Sequence, residues 1–186
     1  MSTPKRCGWV DLTDPLYVRY HDEEWCRPHH DDGYAFELLL LESFQAGLSW
    51  ACVLHKREAF RAALDGFDPR RIAEYGAEQV DALMQNPAII RNRRKLDAAV
   101  NNARVFLAIQ NEWGSFDAYI WHFTQGKTVR NGDGIARAAS PLSDEVSADL
   151  RRRGMKFTGS TIVYSYLQSI GVIDDHEDGC AFAGRN

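Results

Sequence analysis

Apolar residues recur along this chain at three- and four-residue intervals, a pattern that predicts helices rather than strands. Residues 34–44 carry Phe36, Leu39, Leu40 and Ser43 at helical spacing, and a second helix is expected over 49–64, ending at Gly66, with Gly47 marking the bend between the two. Asp68-Pro69 reads as a cap followed by proline in a first turn, and residues 79–85 give another short helix that Asn86-Pro87 stops. A long helix follows over 93–112, with Leu96, Val100, Ala103 and Leu107 along one side, and Gly114-Ser115 leads into an aromatic helix over 116–123. After a polar loop over 125–140, Ser143 with Asp144 and Glu145 marks a helix start, and Arg151, Arg152 and Arg153 suit the negative end of its dipole. A last helix over 161–170 stops at Gly171, although its β-branched and tyrosine content also suits a strand. The fold class expected is all-α.

A more specific pattern lies over residues 80–100, where a short helix, a tight turn at 86–92 and a second helix beginning among arginines follow one another. That order fits a helix-hairpin-helix, in which amide N–H groups at the start of the second helix converge on a phosphate and nearby Arg or Lys supplies charge. Arg91, Arg93 and Lys95 are the candidate DNA contacts here. Ala88 and Arg94 stand where a more typical hairpin has glycine, so an ordinary helical connection fits the pattern equally well.

The 186 residues, 45% of them hydrophobic, suffice for one domain or for two small subdomains that share a core. A formal net charge of −4 and a pI near 5.9 argue against indiscriminate attraction to nucleic acid. Local charge changes that picture, because Arg91, Arg93, Arg94 and Lys95 form one basic group and Arg151, Arg152, Arg153 and Lys156 another. Such runs are also what solvated helix faces carry. The first nine residues are polar and no stretch approaches a membrane span, so a cytoplasmic protein with reduced thiols and no membrane partner is expected, a monomer being the simplest assembly.

Cys7 and His21 near one end, with His176 and Cys180 near the other, make a ligand set that suits one structural Zn2+ with no open coordination position. Gly179 would close the loop between the last two. Simple burial of free thiols is the alternative, and two disulfides would need an oxidising compartment that nothing in the sequence indicates. Cys52 reads as core packing; Cys26, a spare thiol close to His21, reads as buried, with a competing-ligand role as the alternative.

Glu42 interrupts an apolar helix and has no local basic partner. On an exposed face it would be ordinary, whereas on a buried face it is costly unless hydrogen-bonded or functional. Trp9, Tyr17, Tyr20 and Trp25 lie within a short reach and Trp50 follows. Aromatic residues at this density usually build core, but lining a pocket with Glu42 they would make a slot for a flat cationic ring, held by stacking, cation–π attraction and one carboxylate.

In chain order, the strings Arg6-Cys7-Gly8-Trp9, Asp14-Pro15-Leu16-Tyr17, Tyr20-His21-Asp22 with Glu24-Trp25, residues 42–50, Ile89-Ile90-Arg91-Asn92 with Lys95, Asn102-Ala103, Lys156-Phe157 with Gly159-Ser160-Thr161, and Asp175-His176 with Cys180 resemble the DNA-3-methyladenine glycosylase I family over nearly the whole length. The resemblance implies an all-helical helix-hairpin-helix glycosylase: one unit over 1–186, with a central helical part over about 34–124 and the segments 1–33 and 125–186 joined by zinc. It makes Cys7, His21, His176 and Cys180 the ligands of one structural Zn2+, Glu42 the carboxylate facing the base, Tyr20 and Trp50 its nearest aromatic contacts, and Trp9, Tyr17 and Trp25 the rest of the wall.

The activity implied is hydrolysis of the N-glycosidic bond of 3-methyladenine in double-stranded alkylated DNA, releasing the free base and leaving an abasic site, without lyase activity. Leu48 is then a candidate wedge for the vacated base stack, although buried packing is the stronger reading for it. Asp97 is the nearest acid after the hairpin but lies on the long helix among expected core positions and receives no role. Three positions depart from the family: Cys26 and Ser43 stand where glycine is common, and Ala88 replaces the glycine usual before Ile89. A non-catalytic, zinc-braced binder of damaged or distorted duplex is the alternative from another class, and a zinc hydrolase acting on a small substrate would need an open metal position.

Overall fold

A computed structural model describes residues 4–131, 135 and 137–184. Among them the architecture is helical, with one small sheet. Asp14 opens α1 (Pro15–Glu23) by accepting from the amides of Leu16 and Tyr17, and Pro15 occupies the first turn, where no donor is needed. Hydrophobic periodicity did not predict this helix, because only Tyr20 and His21 are fully buried on it.

At the centre of the molecule lies α2 (Asp32–Gln45), buried at every position from 35 to 44. The helix expected over 49–64 is two, α3 (Trp50–Leu54) and α4 (Arg57–Ala63), because the backbone turns at Lys56 (φ −100°, ψ 0°) and so carries Arg57 and Arg61 onto Glu37 of α2. A 3-10 turn at Asp65–Phe67 leads to α5 (Pro69–Ala73), which Asp68 caps as its sequence implied. The pair α6 (Ala77–Gln85) and α7 (Arg93–Trp113) follows across the turn 86–92, with Asn92 capping α7 by accepting from the amide of Lys95. Ser115 caps α8 (Phe116–His122). For α9 (Pro141–Arg152) the cap is Ser140 rather than the expected Ser143, which instead returns a hydrogen bond from the third position and closes a capping box. The last helix, α10 (Ser160–Ser169), is a helix and not a strand.

Within the polar stretch read as loop, β1 (Val129–Arg130) pairs in parallel with β2 (Ile173–Asp174), Val129 opposite Ile173. Gly171, between α10 and β2, has φ +75°, and a Cβ there would lie 2.1 Å from the Arg27 carbonyl carbon, so only glycine lets this segment pack on the residues after α1. One apolar cluster runs through the helices, from Val10 and Tyr20 through α2 to Leu167 and Ile173. Cys52 is only half-buried, not core, because α3 turns it outward, and Asp97 is exposed rather than among the core positions of α7. No helix among the described residues is long and apolar enough to cross a membrane.

Candidate active site and metal clasp

Four elements converge on a cavity of about 210 Å3 lined by Trp9, Tyr17, Tyr20, Trp25, Glu42, Gln45, Trp50, Ser165 and Gln168. Since about 10–15 Å3 of such space holds one water, the cavity has room for a flat ring. The spacing of Tyr17 and Tyr20 along α1 puts both on the face that lines the cavity. Glu42 comes from the last turns of α2, and Trp50 opens α3 immediately after its Ser49 cap. Tyr20 and Trp50 lie with ring centroids 5.2 Å apart, tilted by 49°. Trp9 meets Tyr17 edge-on at 5.3 Å and Trp25 edge-on at 4.7 Å.

Glu42 is 2% exposed, and its Oε2 has no hydrogen-bond partner among the described residues. Burial pushes its carboxyl well above the ordinary range. The Trp50 indole N–H is likewise buried and unpartnered. The cavity therefore holds one acceptor and one donor that the protein itself does not satisfy, which in a folded core is exceptional. Tyr20 is raised well above its usual range by burial and by the neighbouring Glu42, so its hydroxyl keeps its proton as a donor. All six predicted pocket residues are thus brought together. Sequence reading missed Gln45, one turn beyond Glu42 on α2, and Ser165 with Gln168, a three-residue polar spacing on the otherwise apolar α10 that was the available signal.

The predicted ligand set divides. Cys7, His21 and Cys180 form one buried group, their ligand atoms within 4.8 Å of one another, whereas His176 groups in the same way with Cys26 and Asp174. The two histidines are adjacent nonetheless, with ring centroids 5.2 Å apart. Each gives Nδ1 to a carboxylate, His21 to Asp22 at 2.8 Å and His176 to Asp174 at 2.7 Å. That leaves Nε2 of His21 3.7 Å from the Cys180 sulfur and Nε2 of His176 buried without a partner among the described residues. A carboxylate behind each imidazole, two thiols and an unsatisfied ring nitrogen fit a zinc ion. Burial lowers the His21 pKa and so favours the neutral imidazole that a metal takes. Cys26, buried with φ +59°, accepts from the Asp175 amide at 3.4 Å and stands beside the clasp on the His176 side.

Clasp and pocket share a wall. Trp25 packs on His21 at 5.8 Å and on His176 at 4.8 Å, while Trp9 packs on His21 at 5.4 Å.

Of the predicted DNA contacts, Arg91 is exposed, and Arg93 is exposed but paired with Asp81 across the hairpin. Lys95 is the correction: it is 7% exposed, and its Nζ donates to the carbonyls of Phe44 at 2.8 Å and Ala46 at 2.6 Å. It satisfies the open C-terminal end of α2 directly behind the pocket turn and is not available to a phosphate. Ala88 has no positive φ, so the turn does not need glycine there. Leu48 is 42% exposed at the tip of the turn after Glu42, so the stronger expectation, buried packing, is overturned.

Residues 9–183 match the methyladenine glycosylase family. The DNA-3-methyladenine glycosylase 1 of Escherichia coli K12 is 42% identical over 183 residues, 95% of each chain. A crystal structure of a 3-methyladenine DNA glycosylase I superposes with a TM-score of 0.91 at 43% identity, covering 95% of this chain and 98% of that one. A tyrosine-to-phenylalanine variant of a 3-methyladenine DNA glycosylase I in complex with 3-methyladenine superposes with a TM-score of 0.93 at 34% identity, covering 97% and 98%. With the match spanning nearly every described element, this chain belongs to the methyladenine glycosylase family.

Proposed function

We propose that the protein is a base-excision repair enzyme that hydrolyses the N-glycosidic bond of 3-methyladenine in double-stranded DNA. The observation that carries this reading is the buried, unpartnered Glu42 in a cavity walled by Tyr20, Trp50, Trp9, Tyr17 and Trp25. A base methylated at a ring nitrogen carries positive charge, so the bond to the sugar breaks with both electrons going to the base, which leaves neutral. Water adds at the sugar carbon and loses a proton. The protein's main task is therefore to extract the lesion and hold it, its impaired pairing lowering the extrusion cost. Without a base in the pocket, desolvation favours the neutral form of Glu42; a cationic ring supplies the countercharge that lets it ionise and accept hydrogen bonds. Normal adenine brings no such charge and meets an unfavourable carboxyl. Tyr20 and Trp50 give the polar contact and the stacking face, and exposed Leu48 enters the vacated stack.

The cavity lining contains no lysine among the described residues, which supports hydrolysis by water without a Schiff base or strand cleavage. Cys7, His21, His176 and Cys180 hold one structural zinc ion in this reading; the metal cross-links the chain ends and takes no part in the reaction. The α6–α7 hairpin meets the duplex backbone as a helix-hairpin-helix, through Arg91 and the exposed Arg94 rather than Lys95.

Chromatography of bases released from methylated duplex DNA tests the reading. Free 3-methyladenine is expected, and Glu42→Gln should lower kcat/KM about 10- to 100-fold, the worth of a hydrogen bond to a charged group. No released base would remove this function, and unchanged excision by the variant would remove Glu42 from the mechanism.

A further inference from the structure

The second basic group of the sequence stands away from the base pocket, around the start of α10. Arg153 and Arg152 are ion-paired with Glu112 and Asp149, but Lys156 is exposed and in no ion pair among the described residues. The N-cap of α10, Gly159, brings no side-chain acceptor, and the Ser160 hydroxyl is 2.8 Å from that of Ser143 on α9. The first amides of the helix are therefore left for an outside acceptor.

Thr158 adds an independent sign of one. It is 1% exposed, its Oγ1 has no partner among the described residues, and it lies under a groove of about 820 Å3 whose other walls include Arg151, Lys156 and Gly159. A buried hydroxyl left unpaired is unfavourable unless a ligand completes it. The loop is also held in place. Fully buried Asn102 of α7 donates to the Lys156 carbonyl at 2.9 Å and accepts from the Lys156 amide at 2.8 Å.

From this groove α10 leads to the base cavity, whose wall contains Ser165. At about 1.5 Å per residue Ser165 is about 8 Å along the axis from Ser160, roughly the run of two nucleotides in a DNA strand at 3.4 Å each.

We propose that Lys156, the Thr158 hydroxyl and the first-turn amides of α10 form a phosphate-binding site that grips the DNA backbone beside the flipped nucleotide. The inference rests on the reading of duplex DNA as substrate. It adds a second grip to the hairpin, and through Asn102 the two are fixed to the same helix.

The test is equilibrium binding of the full chain to a short duplex carrying a stable abasic-site analogue, measured over a range of salt. Lys156→Gln should weaken binding on every sequence and reduce the slope of log affinity against log salt by about one. Thr158→Val keeps the shape and removes the hydroxyl; it should weaken duplex binding by about five- to tenfold without lowering Tm, since an unpaired buried hydroxyl contributes nothing to the free fold. Both variants should bind free 3-methyladenine, followed by tryptophan fluorescence, as the parent does. An unchanged salt slope for Lys156→Gln, or unchanged duplex affinity for Thr158→Val, overturns the site. Base release by the parent is read separately, so its absence would strike the glycosylase reading while duplex binding still decides this one.

Discussion

Helix α2 buries two carboxylates five residues apart and treats them in opposite ways. Glu37, 8% exposed, receives hydrogen bonds from Arg57 and Arg61, and Arg57 continues to Glu24 at 2.6 Å, which in turn accepts from the Tyr34 hydroxyl at 3.1 Å. Glu42, 2% exposed, has desolvation as the only cause acting on its carboxyl. Five residues advance the helix by about 500°, so the two side chains leave on different faces, one toward α4 and the other toward α1. Where a buried charge serves the fold, the chain completes it; where, in the proposed reading, it serves a ligand, the chain leaves it incomplete. The same contrast separates the two nitrogens of His176, Nδ1 against Asp174 and Nε2 without a partner among the described residues.

The largest effect is expected where incompleteness sits in the clasp. His176→Ala or Cys180→Ala should abolish stoichiometric zinc and lower thermal stability, since structural zinc contributes folding free energy on the order of 10 kcal/mol in small domains. Because Trp9 and Trp25 pack on His21 and His176, these variants should also lose binding of free 3-methyladenine although neither residue lines the cavity with Glu42. Elemental analysis, a melting curve and tryptophan fluorescence check all three. A parent isolated without zinc, or variants as stable as the parent, refutes the clasp.

A smaller loss is expected on the completed side. Arg57→Met should destabilise the fold by about 1.5–3 kcal/mol, because it removes the cation that Glu37 and Glu24 share and leaves Glu37 to Arg61 and Glu24 to the Tyr34 hydroxyl. In urea titration its midpoint should fall well below that of the parent. Excision per folded molecule should change little, since Arg57 does not line the base cavity. If activity collapsed while the fold held, the two carboxylates would not be separable in the way argued here.

Most helix boundaries were legible because they are written in local chemistry: Asp68-Pro69, Gly114-Ser115 and Gly171 each act where the sequence implied. What local chemistry does not encode was missed. The two-residue strands exist only through pairing across 44 residues, and the break at Lys56 is one whose result, Arg57 and Arg61 on Glu37, lies on another helix. Lys95 was misread because it belongs to a basic run, yet it shares the inner face of α7 with Ala99 and Asn102, and that spacing carried the better signal. In the site, the aromatic residues and Glu42 were readable as a group, whereas Ser165 and Gln168 left only their polar spacing on α10 as a signal, since α10 reaches the cavity through tertiary packing.

The smallest expected effect sharpens the comparison most. Because the folded-state pKa of Glu42 lies above its unfolded value of about 4.5, the folded protein holds a proton that the unfolded chain releases as pH rises. Stability from the protonated form is thus fully present below about pH 4.5 and is lost as pH climbs toward the folded pKa, with a slope of at most about 1.4 kcal/mol per pH unit. A glutamine amide does not titrate, so Glu42→Gln should be more stable than the parent by a margin that grows between pH 4 and pH 8. Glu37→Gln should show no such growing gain, because it deprives Arg57 and Arg61 of the charge they pair with. Melting temperatures of both variants at the two pH values decide the matter: a Glu42→Gln margin that stays flat, or one matched by Glu37→Gln, would mean that burial does not hold Glu42 neutral and that the pocket was never waiting for a cation.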